Sequence, residues 1–141
     1  MTTFEDPVTA IIRKLKSDTT LLALLPASHI HSSYPDVANK NPSIYVFAVK
    51  LQRKPALGSG NQINSVYNGT ARFQVEAYDD DSLENATTLG RVACERAGPS
   101  IVTAGIWNFE YEFKNGDWDS ATNAYRATYF LDSSCTEWRA D

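Results

Sequence analysis

Cysteine and histidine, the residues that most often build disulfide frameworks and metal sites, are scarce in this sequence. Its 141 residues include two cysteines, Cys94 and Cys135, and two histidines, His29 and His31. Two cysteines are too few for a disulfide scaffold and lack the spacing of a zinc motif. A catalytic zinc usually needs three protein ligands, and no third ligand stands at motif distance from the histidines. We therefore expect free thiols and no bound metal.

Long apolar runs and an excess of positive charge are also missing. No stretch approaches the roughly 18 apolar residues that cross a bilayer. The N-terminal segment lacks the basic start and apolar centre of a signal peptide. The formal net charge is -4, without a basic block, which argues against a broad electrostatic grip on nucleic acid. These absences predict a protein without membrane contact that is made and assembled in a cytosol.

Catalytic motifs are absent as well. There is no G-x-S-x-G elbow, and neither cysteine has an activating neighbour in sequence. The glycine-rich stretch at Gly58 lacks the Lys-Ser/Thr of a phosphate loop. A small RNA-binding sheet would need outward aromatic residues, whereas the outward strand positions here are mainly polar or acidic. These patterns indicate neither an enzyme nor a cofactor.

The residues that are present indicate one α+β domain. Hydrophobic residues make up 43% and aromatic residues 11% of the chain, and most aromatic residues stand in alternating stretches typical of strands. The length is ordinary for a single domain with its own core. The patterns run in the order α-α-β-β-α-β-β. They predict a four-stranded, mostly antiparallel sheet with one main helix packed on it and the N-terminal helices completing the core.

Helix signals occur at three places. Asp6 followed by Pro7 is typical of an N-cap and a first helical position, and a second, short helix is predicted after Asp18. The main helix is predicted from Asp81 to Ala97, with a glycine at its end. Its inner face is rich in alanine and glycine, which lets a helix lie close to a sheet. That face comprises Leu83, Ala86, Leu89, Gly90, Ala93, Cys94 and Ala97.

Four segments carry strand signals, and a shorter extended piece is predicted around His31. The segment Ser43–Leu51 is apolar on both faces, which indicates a strand that is central or covered on its second side. The other three alternate, which predicts one inward and one outward face. The inward residues are Ala71, Phe73, Val75 and Ala77; Trp107, Phe109, Tyr111 and Phe113; and Tyr125, Ala127, Tyr129 and Leu131.

Two acidic clusters leave a choice between chemistry and local structure. Residues Asp79 to Asp81 separate a strand from the main helix, and we interpret Asp80 or Asp81 as a cap for the first-turn amides. A metal would need further ligands from elsewhere. Asp117 and Asp119 follow an Asn-Gly pair, which predicts a hairpin turn. A metal-dependent hydrolase that uses these clusters is the less favoured alternative.

The arrangement as a whole resembles the tail terminator, or tail completion, proteins of long-tailed bacteriophages. The amphipathic helix PVTAIIRKLKSD leads into TLLALLPASHIHSSYPDVANKNPSIYVF, which is similar to the short helix, loop and Pro-x-Ile strand that open the family. A variable segment follows, then ARFQVEAYDDD with LENATTLGRVACERAG, and the closing pair WNFEYEF and YRATYFLD. The resemblance covers residues 5–132 of a single domain, 1–141, and residues 133–141 form a C-terminal extension.

This resemblance implies a virion structural protein at the junction of tail and neck. Such proteins form a ring, usually a hexamer, that caps the tail tube, ends its polymerisation and offers a surface to the head–tail connector protein. Members of the family are not enzymes and need no cofactor, and genomic DNA passes through the ring without specific binding. Another neck protein, a head-completion or stopper subunit, is the nearest alternative.

A ring of this kind suggests candidate contact residues. A cyclic ring needs two complementary patches on each subunit, and the long connection Arg53–Ser65 is one candidate, although its length equally suits a disordered loop. Its candidate subunit or tube contacts are Arg53, Lys54, Leu57, Asn61 and Ile63. Carboxylates repel phosphates in a channel for DNA, although ordinary solvated strand faces also carry acids. The candidate lumen-facing acids are Glu76, Glu110, Glu112, Asp117 and Asp119.

Overall fold

The computed structural model describes residues 5–32, 42–55, 65–98, 100–101 and 104–139. For residues 52–55, 65–68, 100–101 and 136–139 it describes the backbone alone. The helices are α1 (Pro7–Lys16), α2 (Thr19–Leu22) and α3 (Leu83–Ala97), with a 3-10 turn at Ala27–His29. The strands are β1 (Ile30–His31), β2 (Ser43–Pro55), β3 (Ser65–Asp79), β4 (Ser100–Ile101), β5 (Ile106–Asp119) and β6 (Ala124–Arg139).

All six strands join one sheet in the order β1-β2-β3-β6-β5-β4. The short strand β1 runs parallel to β2, and every other neighbouring pair is antiparallel. The mixed α+β class is confirmed. The predicted count of four strands is wrong, because β1 and β4 join the sheet at its edges. Each has two residues, too few to show the alternation from which strands are recognised.

The first two helices begin at the predicted caps. The Asp6 carboxylate accepts a hydrogen bond from the Thr9 amide at 2.9 Å, and Asp18 accepts one from the Leu21 amide at 3.0 Å. Asp18 also accepts a 2.7 Å hydrogen bond from Arg96 in α3. Burial opposes ionisation of Asp18, but the hydrogen bonds from Arg96 and the Leu21 amide outweigh it and lower its pKa. This pair ties α2 to the end of α3.

The acids before α3 shape the backbone, although the capping residue is not the predicted one. Ser82 is the N-cap, and its hydroxyl accepts from the Asn85 amide at 3.0 Å. Asp79 accepts from the amides of Asp81 and Ser82 at 2.8 and 3.2 Å. The prediction that Asp80 or Asp81 caps the helix is therefore wrong. The serine hydroxyl is a shorter and equally good cap, and it leaves Asp79 to hold the turn that precedes it.

The sheet face that packs against the helices, called the covered face below, holds the main core. The inward residues predicted for β3 are buried there, as are Ala127, Tyr129 and Leu131 of β6. α3 lies close to this face at Gly90, where a Cβ would stand 2.5 Å from Cε2 of Tyr129. The Tyr129 hydroxyl donates to the Thr87 carbonyl oxygen at 2.7 Å, which fixes the ring beneath the helix.

The hairpin between β5 and β6 turns later than predicted. Asn115, Gly116 and Asp117 lie within β5 and pair with residues 126–128 of β6, so the turn predicted at Asn-Gly-Asp is wrong. The chain reverses at residues 120–123. Here the Asp119 carboxylate accepts from the Ala121 amide and the Thr122 hydroxyl, at 3.3 and 2.7 Å. The local hydrogen bonds of Asp119 determine the turn.

Two strands are longer than their patterns predict. β2 continues to Pro55 and β3 begins at Ser65, so the connection between them is shorter than the predicted Arg53–Ser65. β6 continues to Arg139, and its residues 133–139 pair with residues 65–71 of β3. Residues 133–139 are therefore part of the sheet.

Candidate assembly surfaces

The aromatic residues of β5 form a half-exposed stripe. Tyr111 and Phe113 lie beside Tyr129 of the covered face, with ring centroids 6.1 and 5.3 Å from it, so their predicted inward direction is confirmed. Their predicted burial is wrong, since Tyr111 is 41% and Phe113 48% exposed. The inward direction predicted for Trp107 is also wrong, because it stands opposite Ser134 on the other face and is 47% exposed. Trp118 is 48% exposed. α3 packs chiefly over β3 and β6, and β5 extends past its cover. Exposed aromatic residues at this density are typical of contact surfaces.

The outer edges of β2 and β5 are largely open in the part of the chain that the structure describes. β4 pairs with β5 at Ile106 and Trp107, which leaves residues 108–119 without an outer partner strand there. β1 pairs with β2 at Ile44 and Tyr45, and no other described strand pairs with the outer edge of β2 at residues 48–55. The first long strand was predicted to be either central or covered on its second side, and the first of these alternatives is wrong, because β2 lies next to the sheet edge. Open edges of this length are templates for pairing with another strand.

The opposite side of the sheet, called the open face below, carries paired charges. Arg72 of β3 forms a bidentate ion pair with Asp132 of β6, with distances of 2.8 and 3.1 Å. The Arg72 guanidinium also lies 4.4 Å from the centroid of the Phe130 ring. Arg126 forms a similar pair with Asp117, at 3.0 and 2.7 Å. These cross-strand pairs fix side chains on β3, β6 and β5.

Glu76 is buried within this open face. It is 4% exposed, and its carboxylate accepts from Gln74 Nε2 at 2.6 Å and from the Tyr78 hydroxyl at 2.7 Å. Burial raises the pKa of Tyr78, and the hydrogen bond to Glu76 raises it further. The tyrosine therefore remains a proton donor. Alternation predicts that Glu76 points outward. The side chain does lie on the open face, but it is buried there among its hydrogen-bond partners.

Asp117 is held as a carboxylate by its arginine. The hydrogen bond from Arg126 lowers the pKa of Asp117, although partial burial works in the other direction. The same hydrogen bond raises the pKa of Arg126. Tyr78 also contacts Arg126, so the ion pair and the Glu76 cluster form one continuous polar network. The network stabilises strand positions and leaves Asp117 partly neutralised.

The other predicted lumen acids are distributed unevenly. Glu110 and Glu112 are exposed and stand opposite Asp132 and Phe130 in the strand register, so they share the open face. Asp119 lies at the end of the same strand and holds the turn. A shallow groove of about 540 Å³ crosses this face beside Glu110. Of the five candidates, Glu110 and Glu112 are exposed, Asp117 and Asp119 are half-buried, and Glu76 is buried.

The predicted arm residues lie partly outside the described structure. Leu57, Asn61 and Ile63 are outside the described residues. Arg53 and Lys54 belong to the backbone of β2, in register with Gly69 and Asn68 of β3.

Two apolar residues of β2 are exposed, although the pattern of this strand predicts that both of its faces are covered. Val49 is 51% exposed and Leu51 is 44% exposed. A bulge between Ala48 and Lys50 shifts the alternation of β2, so a strict two-residue period assigns these side chains to the wrong environment.

The histidines and cysteines have structural surroundings. Nδ1 of His29 lies 2.9 Å from the Pro42 carbonyl oxygen, and the ring of His31 stacks on Tyr45 with centroids 5.1 Å apart. Cys94 and Cys135 are both buried. Burial raises the pKa of the Cys94 thiol to about 12. Among the described residues, no three His, Cys, Asp or Glu side chains converge in the manner of metal ligands.

No helix in the described part of the chain is long and apolar enough to cross a membrane.

The protein is similar to a solved structure in its fold and not in its sequence. No model of a known protein family matches the sequence, and no curated protein matches it. The structure is similar to a chain in the virion of a native gene transfer agent (GTA) particle, with a TM-score of 0.59 and 11% sequence identity. The match covers 92% of this chain and 93% of that chain. At this identity the likeness shows a shared fold over nearly the full length.

Proposed function

We propose that this protein is a virion structural protein that forms a ring at the end of a phage-type tail tube. The ring ends tube polymerisation and provides the surface that joins the head connector. The observation that carries the proposal is the fold, which over 92% of the chain is shared with a chain of the GTA particle virion. The resemblance of the sequence to tail terminators supports the same role. The proposed ring is a hexamer, as the resemblance implies.

The surfaces of the monomer support an assembly role. The half-exposed aromatic stripe of β5 and the open edge of β2 are two different patches. They lie near opposite edges of one sheet. Closed rings use such unlike, complementary patches on each subunit. An uncovered edge strand is a template for pairing with a strand of another copy. The molecule therefore has the surfaces that a ring subunit needs.

The open face is the proposed lining of the lumen. Its exposed acids Glu110 and Glu112 would keep the phosphates of a passing duplex from binding, whereas Glu76 and Asp117 act within the polar network. Duplex DNA of about 30 base pairs should therefore show no retention by the assembled protein at moderate salt. Tight, salt-sensitive retention would contradict this placement of the open face.

The experiment that tests the proposed role is a count of tail lengths. Particles are prepared from producing cells that lack the gene, and tails are measured by negative-stain electron microscopy beside particles from cells that carry it. We expect tails of variable, mostly excessive length without heads, and restoration by the gene supplied in trans. Tails of normal length joined to heads would overturn the proposal.

The same images separate the terminator from its nearest alternative. A head-completion or stopper subunit acts after the tail is finished, so its loss leaves tails of uniform, normal length that fail to join heads. Uniform headless tails would therefore assign this protein to the neck and reject the capping role.

A further inference from the structure

The two open edges carry opposite charge. The open stretch of β2 contains Lys50, Arg53 and Lys54 and no acid, which gives three positive charges. β5 contains four acids and one lysine, a net of three negative charges. The β5 acids are Glu110, Glu112, Asp117 and Asp119. Complementary charge selects the unlike edge of another copy and disfavours like-with-like pairing.

The strand directions allow the two edges to meet. The sheet contains three consecutive antiparallel pairs, β2 with β3, β3 with β6, and β6 with β5. Because the direction reverses three times, β5 runs antiparallel to β2. A second copy in the same orientation therefore presents its β2 antiparallel to the β5 of the first. The open stretches, residues 48–55 and 108–119, are both long enough to form a strand pair.

The short edge strands do not obstruct this pairing. β1 covers the beginning of β2, and β4 covers the beginning of β5. In an antiparallel pair the two strand beginnings lie at opposite ends. β1 of one copy and β4 of the other would then lie at opposite ends of the new strand pair. The open stretches of β2 and β5 would form hydrogen bonds with each other between them.

We propose that β5 of one copy pairs with β2 of the next copy, so that one sheet continues from subunit to subunit around the ring. This rests on the proposed function for the ring itself, and it names the contact that closes it. The apolar side chains that the monomer leaves exposed, Val49 and Leu51 on β2 and Tyr111 and Phe113 on β5, would be covered in the same contact. Such head-to-tail contacts close into rings when the rotation between subunits permits.

A charge-swap experiment tests the pairing. The first variant carries E110K and E112K on β5, and the second carries K50E and K54E on β2. Each variant alone opposes like charges across the edge, and we expect its self-association to be roughly tenfold weaker than that of the wild type. A 1:1 mixture restores association, because each variant supplies the edge that the other needs. The readout is mass by sedimentation velocity and native mass spectrometry, with circular dichroism as the check of folding.

The control is a charge reversal away from both edges, K16E at the exposed end of α1, which should associate like the wild type. The inference is overturned if the edge variants associate like K16E, or if the mixture fails to restore association.

A wild type that remains monomeric up to about 1 mM, where even weak contacts are populated, also overturns the pairing. Those results leave the proposed function standing, because its own test is the tail-length phenotype. Normal tails without the gene, together with charge-dependent rings in solution, would reject the function and keep the contact.

Discussion

The covered and open faces of one sheet are organised by different interactions. On the covered face, α3 buries aliphatic and aromatic side chains against β3 and β6, and α1 packs on β1, β2 and α3. Burial of this kind is the dominant stabilising contribution in folding. On the open face, carboxylates, arginines and tyrosines hold one another across strands. In β5, by contrast, most side chains are exposed or half-buried on both faces of the sheet. The buried core is therefore concentrated in β3, β6 and the first part of β2, whereas the contacts that we propose for assembly lie on β5 and the outer part of β2.

The largest expected effect separates two phenylalanines of the same sheet. Phe73 is 1% exposed in the core, whereas Phe113 is half exposed on β5. F73A should lower the free energy of unfolding by about 3–5 kcal/mol. F113A should lower it by about 1 kcal/mol, because it mainly loses the ring contact with Tyr129. Urea unfolding followed by tryptophan fluorescence measures both, and equal losses would show that β5 belongs to the core.

A smaller effect is expected where the main helix approaches the sheet. In G90A the new Cβ meets the buried Tyr129 ring, and such overpacking costs about 1–3 kcal/mol. The gain in helix propensity, about 1 kcal/mol, offsets part of this. The matched variant G116A meets Leu83, whose exposed end is free to move, so its unfolding free energy should change little. A G90A protein more stable than the wild type would contradict the close packing.

The ion pair of the open face should contribute less, and only above acidic pH. Arg126 lowers the pKa of folded Asp117 below its ordinary 3.8. The stabilisation is therefore present above the unfolded pKa and is lost as the pH falls through the folded one. Because the Asp117 side chain is 39% exposed, D117N should cost no more than about 1 kcal/mol near neutral pH.

Urea titrations from pH 7 to about pH 2 measure the contribution of this pair. The unfolding free energies of the wild type and D117N should converge as the pH falls below about 4. A double-mutant cycle with R126Q isolates the pairwise term. A gap between wild type and D117N that widens on acidification would contradict the assignment.

The smallest effect concerns reactivity and leaves stability unchanged. The Cys94 thiol is buried and its pKa is raised to about 12, so thiolate is scarce at pH 8. A disulfide reagent should label native Cys94 slowly, whereas a cysteine placed at the exposed open-face position by E112C should react at once. Labelling at equal rates would contradict the burial of α3 against the sheet.

Patterns with a full repeat were sufficient to predict most of the fold. The alternation in β3 and β6 predicted the buried residues, and Asp6 and Asp18 predicted two helix starts, because each signal depends on neighbours in sequence. β1 and β4 have no periodicity to detect. The turn was misplaced because the hydrogen bonds of Asp119 and the pairing of Asp117 with Arg126 outweigh the preference of Asn-Gly for turns.

The candidate surfaces were less predictable, because exposure depends on what lies above a strand. Alternation correctly predicted the direction of Tyr111 and Phe113 but not that they stay half exposed beside α3, which Tyr111 reaches through a hydrogen bond from its hydroxyl to Glu95. It placed Glu76 outward without showing that Gln74 and Tyr78 enclose it. The resemblance to tail terminators predicted a ring, yet the pairing of unlike edges depends on the sheet order, which sequence periodicity does not contain.

Hydrogen–deuterium exchange of the assembled protein, compared with the charge-reversed E110K/E112K monomer, tests the central claim most directly. The account predicts that amides in residues 48–55 and 108–119 gain protection on assembly, because they acquire partner strands. Amides of α3 and of the centre of β3 should be protected equally in both forms. Protection gained on α1 and α3, with the two edges unchanged, would contradict the claim that the strand edges hold the assembly together.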